Sequence, residues 1–141
     1  LHPTRLTPSE QYTHISLWCL LSSPLLIGCD LTRLDAFTLN LLTNDEVIAV
    51  NQDPLGKPAH RVRKDGDIEV WARPLEDGST AVGIFNRGDD MKVIGTTWNE
   101  LGLKGSGHKV RDIWRQQDLG VQKVGIKVSV RPHGCQLLKV W

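Results

Sequence analysis

The sequence predicts a mainly β protein: an antiparallel β-sandwich preceded by a helix-strand-helix piece of an α/β fold. Three observations carry that expectation. After residue 57 apolar and polar residues alternate with period two, most clearly Val124, Ile126, Val128 and Val130 against Gly125, Lys127, Ser129 and Arg131. Turn chemistry punctuates that region at Lys64-Asp65-Gly66-Asp67, Glu76-Asp77-Gly78-Ser79 and Arg131-Pro132-His133-Gly134. Before residue 57 the pattern is helical on both sides of one short continuous apolar run, Leu25-Leu26-Ile27.

Thr7-Pro8-Ser9-Glu10 opens the first helix. Thr7 can cap it, Pro8 suits the first helical position, and Glu10 sits where a capping box needs a carboxylate. The helix is expected to run to about Ser22. Tyr12, Ile15, Trp18 and Cys19 form a stripe, and Leu17, Leu20 and Leu21 fill the other faces, so its second half needs cover on several sides. Pro24 stops it. Leu25 to Gly28 then has the composition of a parallel strand buried on both faces. Asp35 caps the next helix, with Leu34 and Leu39 placed as a hydrophobic staple, and Asn44 caps another from Asp45 to about Asn51. "NQDPLG", Asn51 to Gly56, reads as a terminator, because Pro54 cannot continue a helix. Strands follow from His60 to the turn at Lys64, over Ile68–Arg73, Thr80–Asn86, Met91–Trp98, Lys109–Trp114, Val124–Arg131 and Cys135–Trp141. Seven or eight short antiparallel strands of this kind make a sandwich.

A charge balance of 17 basic to 16 acidic residues, with no basic stripe, argues against a nucleic-acid partner. The longest apolar stretch, Ile15 to Gly28, is interrupted by Ser22, Ser23 and Pro24 and is too short to span a bilayer, so no membrane partner is expected. Cys19, Cys29 and Cys135 have no metal-ligand spacing and leave the redox compartment open.

The candidates for chemistry are few. Asp30 closes the Leu25–Gly28 run, where a carboxylate at a strand's C-terminal end is a catalytic suspect, but ordering the following turn or capping a helix is the favoured reading. Asp53 before Pro54 reads as a turn residue. Asp65, Asp67, Asp77, Asp89 and Asp90 lie in turns without the regular spacing of a calcium loop. Arg87-Gly88-Asp89 spells an adhesion tripeptide but sits between two strands. His14 and His133 have no nucleophile beside them, and Gly102 to His108 lacks the lysine and hydroxyl of a phosphate loop. Trp71, Trp98, Trp114 and Trp141 could form a sugar-stacking platform, or fill a core or a seam between domains. No catalytic residue, cofactor or metal is assigned.

"EQYTHISLWCLLSSPLLIGCDL" (Glu10 to Leu31) and "LLTNDEVIAVNQDPLGK" (Leu41 to Lys57) resemble the α-galactosidases (melibiases) of glycoside hydrolase family 27. "IEVWARPL", "AVGIFNR", "VRDIW" and "RPHG" resemble the C-terminal domain of that family, in the same order. The resemblance implies that residues 1–57 are the C-terminal remnant of a (β/α)8 barrel and residues 58–141 an antiparallel β-sandwich. It also implies a retaining hydrolysis of terminal α-linked galactose by two aspartates, both ahead of Leu1, so the α-galactoside substrate would be met through the missing barrel portion. A lone strand cannot satisfy its own backbone. The remnant is therefore expected to be rearranged, poorly ordered, or covered by another copy or a companion chain.

Overall fold

The computed structural model describes residues 4–141. Helix α1 spans Pro8–Leu20, and its capping box is complete: the Glu10 amide donates to the Thr7 hydroxyl, and the Thr7 amide donates to the Glu10 carboxylate at 2.7 Å. The second of these bonds, together with one donated by the Thr7 hydroxyl at 2.9 Å, holds the Glu10 carboxyl below its usual range. The helix ends two residues earlier than expected because Ser22 takes up a left-handed conformation, φ 56°, ahead of Pro24. A single 3-10 turn covers Leu31–Arg33. Helices α2 (Ala36–Leu42) and α3 (Asp45–Asn51) start where Asp35 and Asn44 accept from the Thr38 and Val47 amides. All three caps follow from local sequence.

The eight strands are β1 (His60–Asp65), β2 (Ile68–Pro74), β3 (Thr80–Asn86), β4 (Lys92–Thr97), β5 (His108–Asp112), β6 (Gln117–Gln122), β7 (Gly125–Val130) and β8 (Cys135–Val140). Six form an antiparallel sheet in the order β1-β2-β3-β8-β5-β6, and β4 pairs with β7 in a second. The sequence pattern misses β6. All six of its residues are exposed, so no alternation marks it, and it exists because β5 offers a pairing edge.

The expected strand over Leu25 to Gly28 is not formed. Among the described residues the backbone groups of Leu25, Leu26, Ile27 and Gly28 make no hydrogen bond. Leu26 is 91% exposed and Ile27 55%. A buried parallel strand needs a neighbour on each edge, and nothing in the described chain supplies one.

The large sheet is buried on both faces. Val82, Ile84, Leu138 and Val140 point toward the small sheet and meet Ile94, Trp98, Ile126 and Val130 in the sandwich core. The alternate residues Ala81, Phe85 and Leu137 point the other way, into a second core with Cys19 and Leu20 of α1, Val47 and Val50 of α3, and Ile113. This explains why Thr80–Asn86 reads as a nearly continuous apolar run: six of its seven residues are buried. The molecule thus has three layers, with helices over the six-stranded sheet over the β4–β7 pair.

Two glycines mark close approaches. A Cβ at Gly125 would collide with the Thr96 carbonyl and stand 2.8 Å from the Thr97 Cα, so β4 and β7 meet there only over a glycine. At Gly83, in the middle of β3, a Cβ would overlap the Leu20 side chain and stand 2.7 Å from the Phe85 ring. That is the point where α1 presses on the sheet. Gly83→Ala should therefore destabilise the fold by about 1–3 kcal/mol, as overpacking of a filled core does. Urea titration checks this, and wild-type stability in the variant would show that α1 is free to lift.

Candidate functional site

The seam between helices and sheet is built from polar side chains that reach across it. Arg73, fully buried on β2, donates from Nη1 to the Cys19 carbonyl at 2.9 Å, at the negative end of the α1 dipole. Burial pulls its pKa down, and the Asp53 carboxylate opposes that. Its Nε and Nη2 have no protein partner among the described residues. The Trp114 indole donates to the buried Ser16 hydroxyl at 2.8 Å, and the Cys135 thiol donates to the same oxygen. The Thr13 hydroxyl donates to the His133 carbonyl at 2.9 Å. At the other helix, Arg111 clasps Glu46 with two bonds of 2.8 and 2.7 Å and reaches Asp118 at 3.0 Å. The Asn44 amide donates to the Trp114 carbonyl. These bonds fix α1 and α3 to the sandwich without help from residues 25–28.

Beyond this seam the helical layer has an open apolar face. A groove of about 610 Å³ lies between α1, α2 and α3 on one side and Leu25, Leu26 and Ile27 on the other. Ile15, Trp18, Leu41 and Ile48 line it, and among the described residues its polar groups are the Cys19 and Cys29 thiols, the Trp18 indole nitrogen and the side chains of His14 and Gln52. Trp18 is anchored at its rim by an indole bond to the Pro24 carbonyl at 2.9 Å.

A second groove, of about 570 Å³, runs along α3. Val50, Leu75 and Ile113 line it together with the ion pairs Glu46–Arg111 and Asp77–Lys139. Lys139 donates to Asp77 at 2.8 Å, and the Ser79 amide donates to it at 3.0 Å. Burial works to raise the Asp77 pKa, but these bonds outweigh it and hold the carboxyl at about 2.

The residues singled out in the sequence are dispersed. Asp30 accepts from the Thr32 amide and hydroxyl, at 3.0 and 2.6 Å, and caps the 3-10 turn. Asp53 accepts from the Leu55 and Glu76 amides and closes the exit from α3. His14 stacks edge-on against Trp18, and His133 meets Asp89 at 2.9 Å. Arg87 is paired with Glu69 at 3.0 Å, so both charged members of the Arg87-Gly88-Asp89 turn are engaged within the fold. The Gly102–His108 loop closes on His108, whose ring nitrogens meet the carbonyls of Lys104 and Trp141. Among the described residues no three His, Cys, Asp or Glu side chains gather as a metal site would need.

The tryptophans do not share a face. Trp98 is in the sandwich core, Trp71 and Trp114 pack against the helix–sheet core, and Trp141 is exposed between Lys109 and Lys139. Burial pushes the Cys19 and Cys135 thiols up to about 11, and at that value they are inert as nucleophiles at neutral pH. Sequence reasoning missed Arg73, Ser16 and the Glu46–Arg111 pair. A charged residue inside the apolar run "VWARPL" is the one signal that could have drawn attention to the first.

Comparison with known proteins places this arrangement in a class, the C-terminal region of glycoside hydrolases. The profile described as alpha galactosidase C-terminal beta sandwich domain matches residues 65–140, and that described as alpha galactosidase A matches residues 4–53. The chain belongs to the α-galactosidase family, glycoside hydrolase family 27, and corresponds to its C-terminal part. Over 133 residues it is 44% identical to alpha-galactosidase 2 of Arabidopsis thaliana, covering 94% of this chain and 34% of that protein. The α-galactosidase I structure from Mortierella vinacea superposes with a TM-score of 0.91 at 33% identity, over 96% of this chain and 36% of the other. A family 27 β-L-arabinopyranosidase from Geobacillus stearothermophilus superposes at 0.92 with 34% identity, over 99% and 31%. The chain spans about a third of the length of the relatives it matches.

Two outcomes follow from this geometry. In dilute solution the amides of Leu26, Ile27 and Gly28 should exchange with solvent at nearly unprotected rates while those of Val82, Ile84 and Leu138 are retained; hydrogen exchange read by mass spectrometry checks it. Asp77 binds a proton less readily in the folded chain than at its ordinary value of 3.8. Its stabilisation is therefore complete above about pH 4 and disappears as the pH falls toward 2. Because the pair is half exposed, Asp77→Asn should cost under about 1 kcal/mol at pH 7, and the two proteins should converge in stability near pH 2.

Proposed function

We propose that this chain is the C-terminal part of a retaining α-galactosidase-like glycoside hydrolase that removes terminal α-linked galactose or a related sugar. In this reading residues 1–57 complete a (β/α)8 barrel, and residues 58–141 form the sandwich that supports it. The observation that carries the reading is the open apolar face. Residues 25–28, unpaired and exposed from Leu26 to Gly28, lie in the segment that matches the α-galactosidase profile, where strands contributed by preceding sequence would cover them. In the whole enzyme the side chains that reach across the seam hold α1 and α3 in place, so the sandwich stiffens the wall of the barrel from outside.

The chemistry of retention needs two carboxyl groups about 5 Å apart across the glycosidic bond. Asp30 and Asp53 are each engaged with backbone amides in turns, which supports placing both catalytic aspartates in the part of the enzyme that precedes this chain. The β-L-arabinopyranosidase among the similar structures supports leaving the choice of sugar to that same part. The 141-residue chain should not hydrolyse an aryl α-galactoside. Release of nitrophenol by rigorously purified chain, at a rate that survives gel filtration with the protein peak, would overturn the assignment.

A further inference from the structure

We infer that His108 is a proton-operated latch on the loop between β4 and β5: the charged ring ties Lys104 to Trp141, and the neutral ring releases Lys104. Every group involved belongs to the sandwich. The inference is therefore independent of the glycosidase reading and of whatever packs on the helical layer.

The loop is easily reshaped and is held at few points. It leaves β4 through a turn in which the Leu101 and Leu103 amides donate to the Thr97 and Trp98 carbonyls, at 3.2 and 2.8 Å. Residues 104–107 are exposed, and Gly105 and Gly107 stand at φ 86° and 81°, a conformation that glycine takes up without strain. The Gly107 amide reaches the Lys123 carbonyl at 3.3 Å. One side chain closes the loop. His108 is half-buried and packs edge-on against Trp98, with ring centroids 4.9 Å apart. Its Nε2 lies 3.1 Å from the main-chain oxygen of Lys104, and its Nδ1 lies 2.9 Å from that of Trp141.

Both of those oxygens can only accept. An imidazolium donates from its two nitrogens, whereas a neutral imidazole carries one N–H and presents a lone pair at the other nitrogen. The pair of bonds therefore belongs to the charged ring alone, and loss of the proton turns a lone pair on an oxygen. Anchoring decides which contact gives way. The Trp141 oxygen is fixed beside β5, because Trp141 and Lys109 exchange main-chain bonds of 3.0 and 3.2 Å. Lys104 has the longer contact with the ring and sits in the exposed loop next to Gly105. The neutral ring thus keeps Nδ1–H on Trp141, and Lys104 moves off. The charged side chains nearby are engaged elsewhere: Lys109 with Asp118 and the Trp141 ring, Lys139 with Asp77, and Glu100 with Arg63 and the Thr97 amide. Lys104 and Lys123 are the remaining charges on the surrounding loops, and among the described residues no carboxylate pairs with His108. The latch turns on two main-chain oxygens rather than on an ion pair. Closure and proton uptake favour one another, so the loop is tightest in acid and loosens as the pH rises.

Hydrogen exchange of the intact chain, corrected for the intrinsic effect of pH, tests this. The Leu103 and Gly107 amides should be about fivefold better protected at about pH 5 than at about pH 8, the ratio that one hydrogen bond of ordinary net worth confers. Val110, in the core of β5, should change by less than about twofold over the same range. In His108→Gln, which has no proton to lose in that range, the difference at Leu103 and Gly107 should vanish. Long-range proton–nitrogen correlation spectra of the wild-type ring should show both nitrogens protonated at about pH 5 and the Nδ1–H tautomer at about pH 8. Those spectra need no variant, so they decide the matter even if His108→Gln fails to fold. Equal protection of the loop at the two pH values, an undiminished pH effect in His108→Gln, or a neutral ring in the Nε2–H tautomer would each overturn the inference.

Discussion

Everything in this structure depends on the two-sided burial of one antiparallel sheet. β3 and β8 sit at its centre, and their side chains leave both faces apolar. A two-stranded sheet covers one face and makes the sandwich core. The other face has to be covered as well, since Phe85, Leu137 and Ile113 would otherwise meet water at a cost of about 25 cal/mol per Å² of apolar surface. Helices α1 and α3 supply that cover. The segment that resembles the end of a barrel is thus the third layer of the sandwich, and Gly83 is where the layers come closest.

The polar groups of the seam follow from this arrangement. A helix end laid on a sheet leaves carbonyls that must find donors, and Arg73 brings one from beneath. Ser16, buried inside α1, would be a liability alone; with Trp114 and Cys135 aimed at it the hydroxyl becomes a tie between layers. The bidentate Glu46–Arg111 contact does the same for α3 with the geometry that arginine and carboxylate share. Such bonds set orientation more than they add stability, since each replaces bonds to water.

Much of this was legible in the sequence, for reasons that differ by element. The starts of the helices were readable because a cap is a local device: Thr7 with Glu10, Asp35 and Asn44 each act within three residues. β7 was readable because it alternates across a half-buried surface. β6 was not, because a fully exposed strand leaves no pattern. Leu25–Ile27 has the composition of a buried parallel strand, and that composition describes neighbours the described chain does not contain. Strand identity lies in the partner, and the exposed state of Leu26 reports its absence. At Asp30 the local reading suffices: a cap is favoured there over a catalytic role, and its bonds to Thr32 make that cap. The seam of Arg73, Ser16 and Trp114 joins residues up to 98 apart in sequence, a separation that pattern reading does not reach.

The shared helix–sheet core has a consequence for how the chain would come apart. Sequence similarity divides it into two stretches, 4–53 and 65–140, with the connection near Lys57. The apolar cluster does not divide there: Leu20 and Val50 lie in it beside Ala81 and Leu137. Loosening either stretch exposes the other, so the two are coupled as one cooperative unit. Heat or denaturant would meet a single transition, and the boundary drawn by ancestry would leave no mark on the melting curve.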